Sequence, residues 1–204
     1  LIREADMPDD LAEAIREAYA ALEEREKDMT SVAVRSSATA EDLPEASFAG
    51  QHESYLNVRG ADEVVAAVQR CIESLFTDRA IRYREDNEFD HMKVALSAGV
   101  QRMVRADEAS AGVAFTIAPD SGFEQVVFIN GAWGLGENVV QGTVNADEYY
   151  VFKPALEQGK YSIISKKAGK KAKTMVFAEE DAAETTVNME TPEEMLYRFV
   201  LSDE

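Results

Sequence analysis

The stretch VRSSATAEDLPEASFAGQHESYL, Val34 to Leu56, starts as a strand, ends as a strand, and fills the interval with hydroxyls, acids and small side chains. Such residues build no core. Structureless connections longer than about 12–15 residues are uncommon in compact domains, and those that occur are functional or disordered. The residues on either side decide which.

Upstream, residues 8–28 place Leu11, Ile15, Tyr19 and Leu22 at helical spacing, with Asp9 or Asp10 as the expected cap. SVAVRS then alternates, so Val32 and Val34 form the buried face of a strand. Downstream, HESYLNV reads as the return strand, ended by Arg59 and Gly60. Residues 61–87 read as one helix with Val64, Val68, Ile72, Leu75 and Phe76 on a single face, and with Asp62 and Glu63 at the end where the dipole favours acids. Short β-rich runs follow: KVALSAGVQRMV, SAGVAFTIAP, QVVFINGAW, DEYYVFK and KYSIIS. Helices first and a mostly antiparallel sheet second make an α+β chain, divided here into residues 1–107 and a β-rich part, 108–204. Ser202 with acids behind it has the composition that opens a helix, so the fold is expected to continue beyond both ends of these residues.

Composition narrows the function classes. Of 204 residues, 39 are acidic and 21 are Lys or Arg, a formal net charge of −18, which excludes a sequence-independent grip on nucleic acid. An anionic ligand would need bases and amides gathered locally. No apolar run reaches the roughly 20 residues that a membrane helix requires, and LIREADMPDD lacks the pattern of a secretory signal. The expected compartment is the cytoplasm. The single cysteine, Cys71, excludes an internal disulfide and sits in a helical pattern as a buried thiol.

Four segments carry candidate chemistry. In SFAGQHES, Gly50 lies between small residues, so the amides of Ala49, Gly50 and Gln51 can face an anion, while Arg35 leaves the preceding strand toward the same region as a permanent planar cation. A phosphate clamp is one reading; a surface loop with a buried ion pair at Arg35 is the other. GAWGLGENVVQG sets Gly131, Gly134, Gly136 and Gly142 around Trp133, with Glu137 where a tight turn meets the next element; it is either a cation- or ligand-orienting turn or a packed hairpin plugged by Trp133. In GVQRMV, alternation sends Arg102 to one face and Gln101 and Met103 to the other, an amide and thioether pair of a kind that can line an adenine-sized slot, or plain core. Finally, Lys166, Lys167, Lys170, Lys171 and Lys173 surround Gly169, either as an attractor for polyphosphate or as a solvated loop. His52 and His91 have no neighbours at metal-ligand spacing, and neither the P-loop nor the dinucleotide fingerprint occurs.

Taken in order, these segments resemble the nucleotide-binding, ATP-grasp-type domain of the phosphoenolpyruvate synthases (pyruvate, water dikinases), within the pyruvate phosphate dikinase family. The resemblance covers roughly residues 30–175. It implies an enzyme that converts ATP, pyruvate and water to phosphoenolpyruvate, AMP and phosphate. The β-phosphoryl group of ATP passes to a histidine on a separate swivelling domain, and a further domain delivers it to pyruvate. By this resemblance Arg35 matches the phosphate-contacting arginine, Gly50 the loop glycine, Ser54 a nucleotide-contacting position held by threonine in some relatives, and Gln101 in VQRMV the glutamine near adenine. Met103 stands beside it, and Glu137 belongs to the GLGE motif without an assigned role.

The implied cofactors are ATP and Mg²⁺. The family's N-terminal lysine would lie upstream of Leu1, and its magnesium-associated acid and QxRP-like segment downstream of Glu204, so the metal ligands in this chain are left unknown. Neither histidine matches the phosphohistidine motif, and the isolated 204 residues are expected to be inactive. Two alternatives stay open: a related phosphotransferase with an antibiotic or a glucan as acceptor, or a non-catalytic ligand-binding domain of the same fold.

Overall fold

The computed structural model describes residues 5–27, 31–38, 42–43, 46–47, 54–179, 182 and 184–203. The chain divides into two compact units, Leu1–Met103 and Val104–Glu204.

The first unit opens with helix α1, Asp9–Arg25. Its N-cap is Pro8, with no side-chain cap; Asp9 and Asp10 lie in the first turn instead, so the expected carboxylate cap is corrected. Their charge still favours the positive end of the dipole. Strand β1 (Val32–Ala38) runs into a short hairpin, β2 (Asp42–Leu43) with β3 (Ala46–Ser47), and the chain returns as β4 (Ser54–Val58). The polar connection is therefore not structureless throughout. Gly50, His52 and the amides beside Gly50 lie outside the described residues.

Helix α2 spans Ala61–Ser74 and α3 Asp78–Asp86, a correction to the single helix expected over 61–87. The break has a local cause. Thr77 takes an extended conformation and accepts a hydrogen bond from the Ala80 amide at 3.3 Å, capping α3 as hydroxyl side chains do. Arg84 of α3 is 2% exposed and donates from Nε to Nδ1 of His91 at 2.8 Å.

Strand β5 (Leu96–Arg102) completes an antiparallel sheet in the order β4-β1-β5. Val32 and Val34 of β1 are fully buried, and with Tyr19, Val58, Val64, Ala67, Val68 and Cys71 they form the core; Leu96, Ala98 and Val100 pack against it from β5. Both helices thus cover one face of this sheet, and Cys71 is a buried free thiol as expected. An apolar cavity of about 710 Å³ lies on that covered side, between Ile15 and Leu22 of α1, Val68 and Ile72 of α2 and Val100 of β5.

In the second unit β6 (Ser110–Phe115), β7 (Val126–Trp133), β8 (Asp147–Phe152) and β9 (Ile163–Lys167) form an antiparallel sheet in sequential order. A short helix α4 (Glu137–Val140) follows β7, and α5 (Lys153–Glu157) follows β8. Strands β10 (Lys173–Phe177) and β11 (Thr186–Glu190) pair as a hairpin; β11 has no counterpart in the sequence reading. Residues 195–201 lie across one face of the sheet: Trp133 donates from Nε1 to the Met195 carbonyl at 3.1 Å, and the Tyr149 and Phe199 rings stand 5.7 Å apart. Asp203, the last described residue, pairs with Lys166 at 2.6 Å. Both units are therefore α+β with antiparallel sheets, as the sequence pattern requires.

Candidate nucleotide site

Register decides which side chains share a surface, because successive residues of a strand point to opposite faces. Arg35 is paired with Ser54 of β4 on one side and Gly99 of β5 on the other. Ala33 faces Gln101, and Ser37 faces Ser97. Arg35, Ser37, Ser54, Ser97, Gly99 and Gln101 consequently occupy the sheet face opposite the helices, and all six are exposed. Valine and leucine hold the other face to the core. The alternation in LSAGVQ, exposed at Ser97, Gly99 and Gln101 and half-buried between them, is the direct result.

Arg35 makes no ion pair with an acid among the described residues, so the buried-salt-bridge reading of this position is not met there. Its guanidinium stands on an open polar surface, with Gln101 one diagonal step away across β1 and β5. Arg102 points the other way, as alternation demands, and donates to Glu26 at 2.8 Å; that hydrogen bond holds the Glu26 carboxyl below the usual carboxylate range. Met103 lies just past the end of β5, half-buried, its amide donating to the Ser31 carbonyl at 3.0 Å. Arg35, Ser54 and Gln101 are brought together on one face; Gly50 falls outside the described residues.

Glu137 belongs to the second unit. It opens α4, half-buried, and its Oε1 accepts from Gln141 Nε2 at 2.6 Å. The glycines before it have a specific cause at Gly134, where φ is +81° and a Cβ would lie 2.3 Å from the Met175 carbonyl. Close passage of the chain end of β7 against β10 needs a bare backbone there. Asn138, fully buried, donates to Asn188 Oδ1 at 2.7 Å and fixes the helix to β11. The segment is thus a packed crossing that presents Glu137, with Trp133 turned to residues 195–201 rather than plugging a hairpin.

The lysine loop is corrected in part. Lys171 is not a solvated base: it is fully buried, bonded to Asp147 Oδ1 and to the Gly169 carbonyl. Lys166 pairs with Asp203, whose carboxyl this ammonium holds below the usual range. Lys167, Lys170 and Lys173 remain exposed. Asp147 was not singled out in the sequence, and its only signal there was an acid opening an otherwise aromatic strand.

Comparison with known proteins follows this geometry. The model of the family described as "Pyruvate phosphate dikinase, AMP/ATP-binding domain" matches residues 1–204. The chain belongs to this family. As a pyruvate phosphate dikinase AMP/ATP-binding domain it is 54% identical over 198 residues to the phosphoenolpyruvate synthase of Helicobacter pylori, covering 97% of the chain and 24% of that protein. It is 54% identical over 196 residues to the enzyme of the same name from Escherichia coli, covering 96% of the chain and 25% of that protein. Against the probable phosphoenolpyruvate synthase of Methanocaldococcus jannaschii it is 53% identical over 205 residues, 100% of the chain and 16% of the relative. This dikinase-family domain therefore spans about a quarter, or less, of the length of these relatives. None of its helices, among the described residues, is long and apolar enough to cross a membrane.

Proposed function

We propose that this chain is the ATP-binding part of a cytoplasmic phosphoenolpyruvate synthase, a phosphotransferase that makes phosphoenolpyruvate, AMP and phosphate from ATP, pyruvate and water. The observation that carries the reading is the open sheet face on which Arg35, Ser54 and Gln101 stand together, in a chain whose whole length matches the dikinase nucleotide-binding family. Gln101, with Met103 beside it, sits against the base; Arg35 contacts phosphate oxygens; Ser54 adds a hydroxyl at the same register position; and Gly50, which lies outside the described residues, is assigned to the phosphates by the family match alone. Glu137, in the GLGE stretch of the second unit, is carried as a nucleotide-binding candidate by the family match alone.

The chemistry suits such residues. Phosphoryl transfer passes through a loose transition state with charge spread over the equatorial oxygens, so positioning and fixed positive charge supply most of the catalysis. No nucleophile from this chain is needed, because the acceptor histidine belongs to another domain of the same protein, and a further domain binds pyruvate. Arg35, always protonated and planar, offers its fork of donors to phosphate. Magnesium, when bound, would supply charge neutralisation at the phosphates; among the described residues no group of three or more His, Cys, Asp or Glu side chains is placed to hold a metal ion.

The direct test is an assay of the full-length protein with ATP labelled at the β-phosphate, with pyruvate and Mg²⁺ present. Label is expected in phosphoenolpyruvate, with AMP formed in equal amount. Label transferred to an antibiotic or a glucan and not to pyruvate would overturn the choice of acceptor, and absence of any nucleotide turnover or binding would overturn the enzyme reading.

A further inference from the structure

Beyond Arg35 the polar face does not end. Ser37 stands directly opposite Ser97, both exposed, and the Ser97 hydroxyl donates to the Ser37 carbonyl at 3.4 Å. The pair lies one two-residue step, about 7 Å, from the Arg35–Gly99 pair on the same face. Gln101 lies one such step from Gly99 in the opposite direction. The three levels therefore run in line: amide, guanidinium, paired hydroxyls.

Gly99 occupies the middle level beside Arg35. Its φ is not in the left-handed region, and a Cβ there would meet nothing closer than the Arg35 carbonyl at 3.8 Å, so neither backbone conformation nor packing demands glycine. Glycine inside a strand weakens it, and where no turn or tight crossing explains it, the missing side chain leaves room for something lying on the sheet. At Gly99 that room is a lane between Gln101 and Ser97. On the β5 side Ser36, Ser37 and Ala38 pair with Ala98, Ser97 and Leu96.

We propose that Ser37 and Ser97 contact the terminal phosphate of ATP and make the site discriminate ATP from ADP. The inference rests on the reading of Arg35 as the phosphate contact and Gln101 as the base contact, which fixes the direction of the phosphate chain along β1. Two neutral hydroxyls suit this place. They donate to phosphate oxygens, Ser97 by turning its one proton away from the Ser37 carbonyl, without adding charge that would hold the products, and hydrogen bonds to a charged group are worth more than neutral ones.

Titration calorimetry on the full-length protein tests this, using α,β-methylene-ATP and α,β-methylene-ADP, whose bridge resists transfer of the β-phosphoryl group. For the double variant Ser37→Ala/Ser97→Ala the ATP analogue is expected to bind about 10–100-fold more weakly, with the ADP analogue changed by less than about 3-fold. Ser37→Asp, which sets a carboxylate against the terminal phosphate, is expected to reverse the preference in favour of the ADP analogue. Equal losses for both analogues, or no loss for either, would overturn the assignment. Arg35→Ala separates the two levels of the argument. If it weakens both analogues while the serine variants change nothing, the serine pair alone is wrong; if it changes neither, the underlying nucleotide reading fails and the pair with it.

Discussion

Replacing Arg35 by alanine is expected to slow phosphohistidine formation in the full-length protein by about 10³–10⁵-fold, the range that a transition-state arginine supplies in phosphoryl transfer. The fold should survive, because Arg35 is exposed on the open face of its sheet while Val32 and Val34 hold the strand to the core from the other side. Single-turnover rapid quench with labelled ATP reads the rate, and circular dichroism checks the fold. Arg35→Lys should recover only part of the loss, since an ammonium keeps the charge but not the planar fork. Unchanged single-turnover kinetics for Arg35→Ala would refute the role.

The second large effect lies in the other unit and concerns stability. Asp147 and Lys171 are both fully buried. Asp147 Oδ1 takes the Lys171 ammonium and the Gly169 amide, the latter at 2.8 Å, while Oδ2 takes the Val200 amide at 2.8 Å and the Tyr149 hydroxyl at 3.4 Å. Burial raises the Tyr149 phenol above its ordinary value, so it stays a donor at any physiological pH. Lys171 itself is held in the left-handed region, φ 43°, and Gly169 passes so near the 145–146 backbone that a Cβ would lie 2.1 Å from the Asn145 carbonyl. The loop is shaped to deliver one ammonium to one carboxylate.

Removing one partner leaves the other charged, buried and unmatched, which costs about 3–5 kcal/mol. Lys171→Ala should therefore destabilise the protein by about that amount in urea unfolding, and speed hydrogen exchange at the Val200 amide that Asp147 holds. The double variant Asp147→Asn/Lys171→Met, which removes both charges, should recover a large part of the loss. If Lys171→Ala costs less than about 1 kcal/mol, the pair is not the pin described.

Legibility in the sequence followed the type of physics involved. Alternation in GVQRMV set Gln101 and Arg102 on opposite faces, because a period of two is set by backbone geometry alone, whereas the face that Arg35 shares with Gln101 needed the register of β1 against β5. The break at Leu75–Thr77 was missed because the apolar spacing continues across it; only the hydroxyl of Thr77 marks the second start. The lysine loop was misread in part for a different reason. A run of five lysines looks solvated unless its acid is known, and Asp147 lies 24 residues away in sequence from Lys171. Long-range pairing of this kind leaves no local pattern.

Ser37 and Ser97 show an intermediate case. The alternation that exposed Gln101 exposes them as well, but their direct opposition needed the register of β1 against β5. Gly50 was singled out for its bare amides, and its place in the account remains that of a proposal built on SFAGQ and the family match.

The central claim is that the open face of β1 bears the nucleotide with Arg35 at the phosphates. A crystal structure of the full-length protein with α,β-methylene-ATP measures it directly. The account predicts the Arg35 guanidinium within about 3 Å of a phosphate oxygen, with the base on the Gln101 side. An analogue bound elsewhere, or phosphates on the helix-covered side of the sheet, would contradict it.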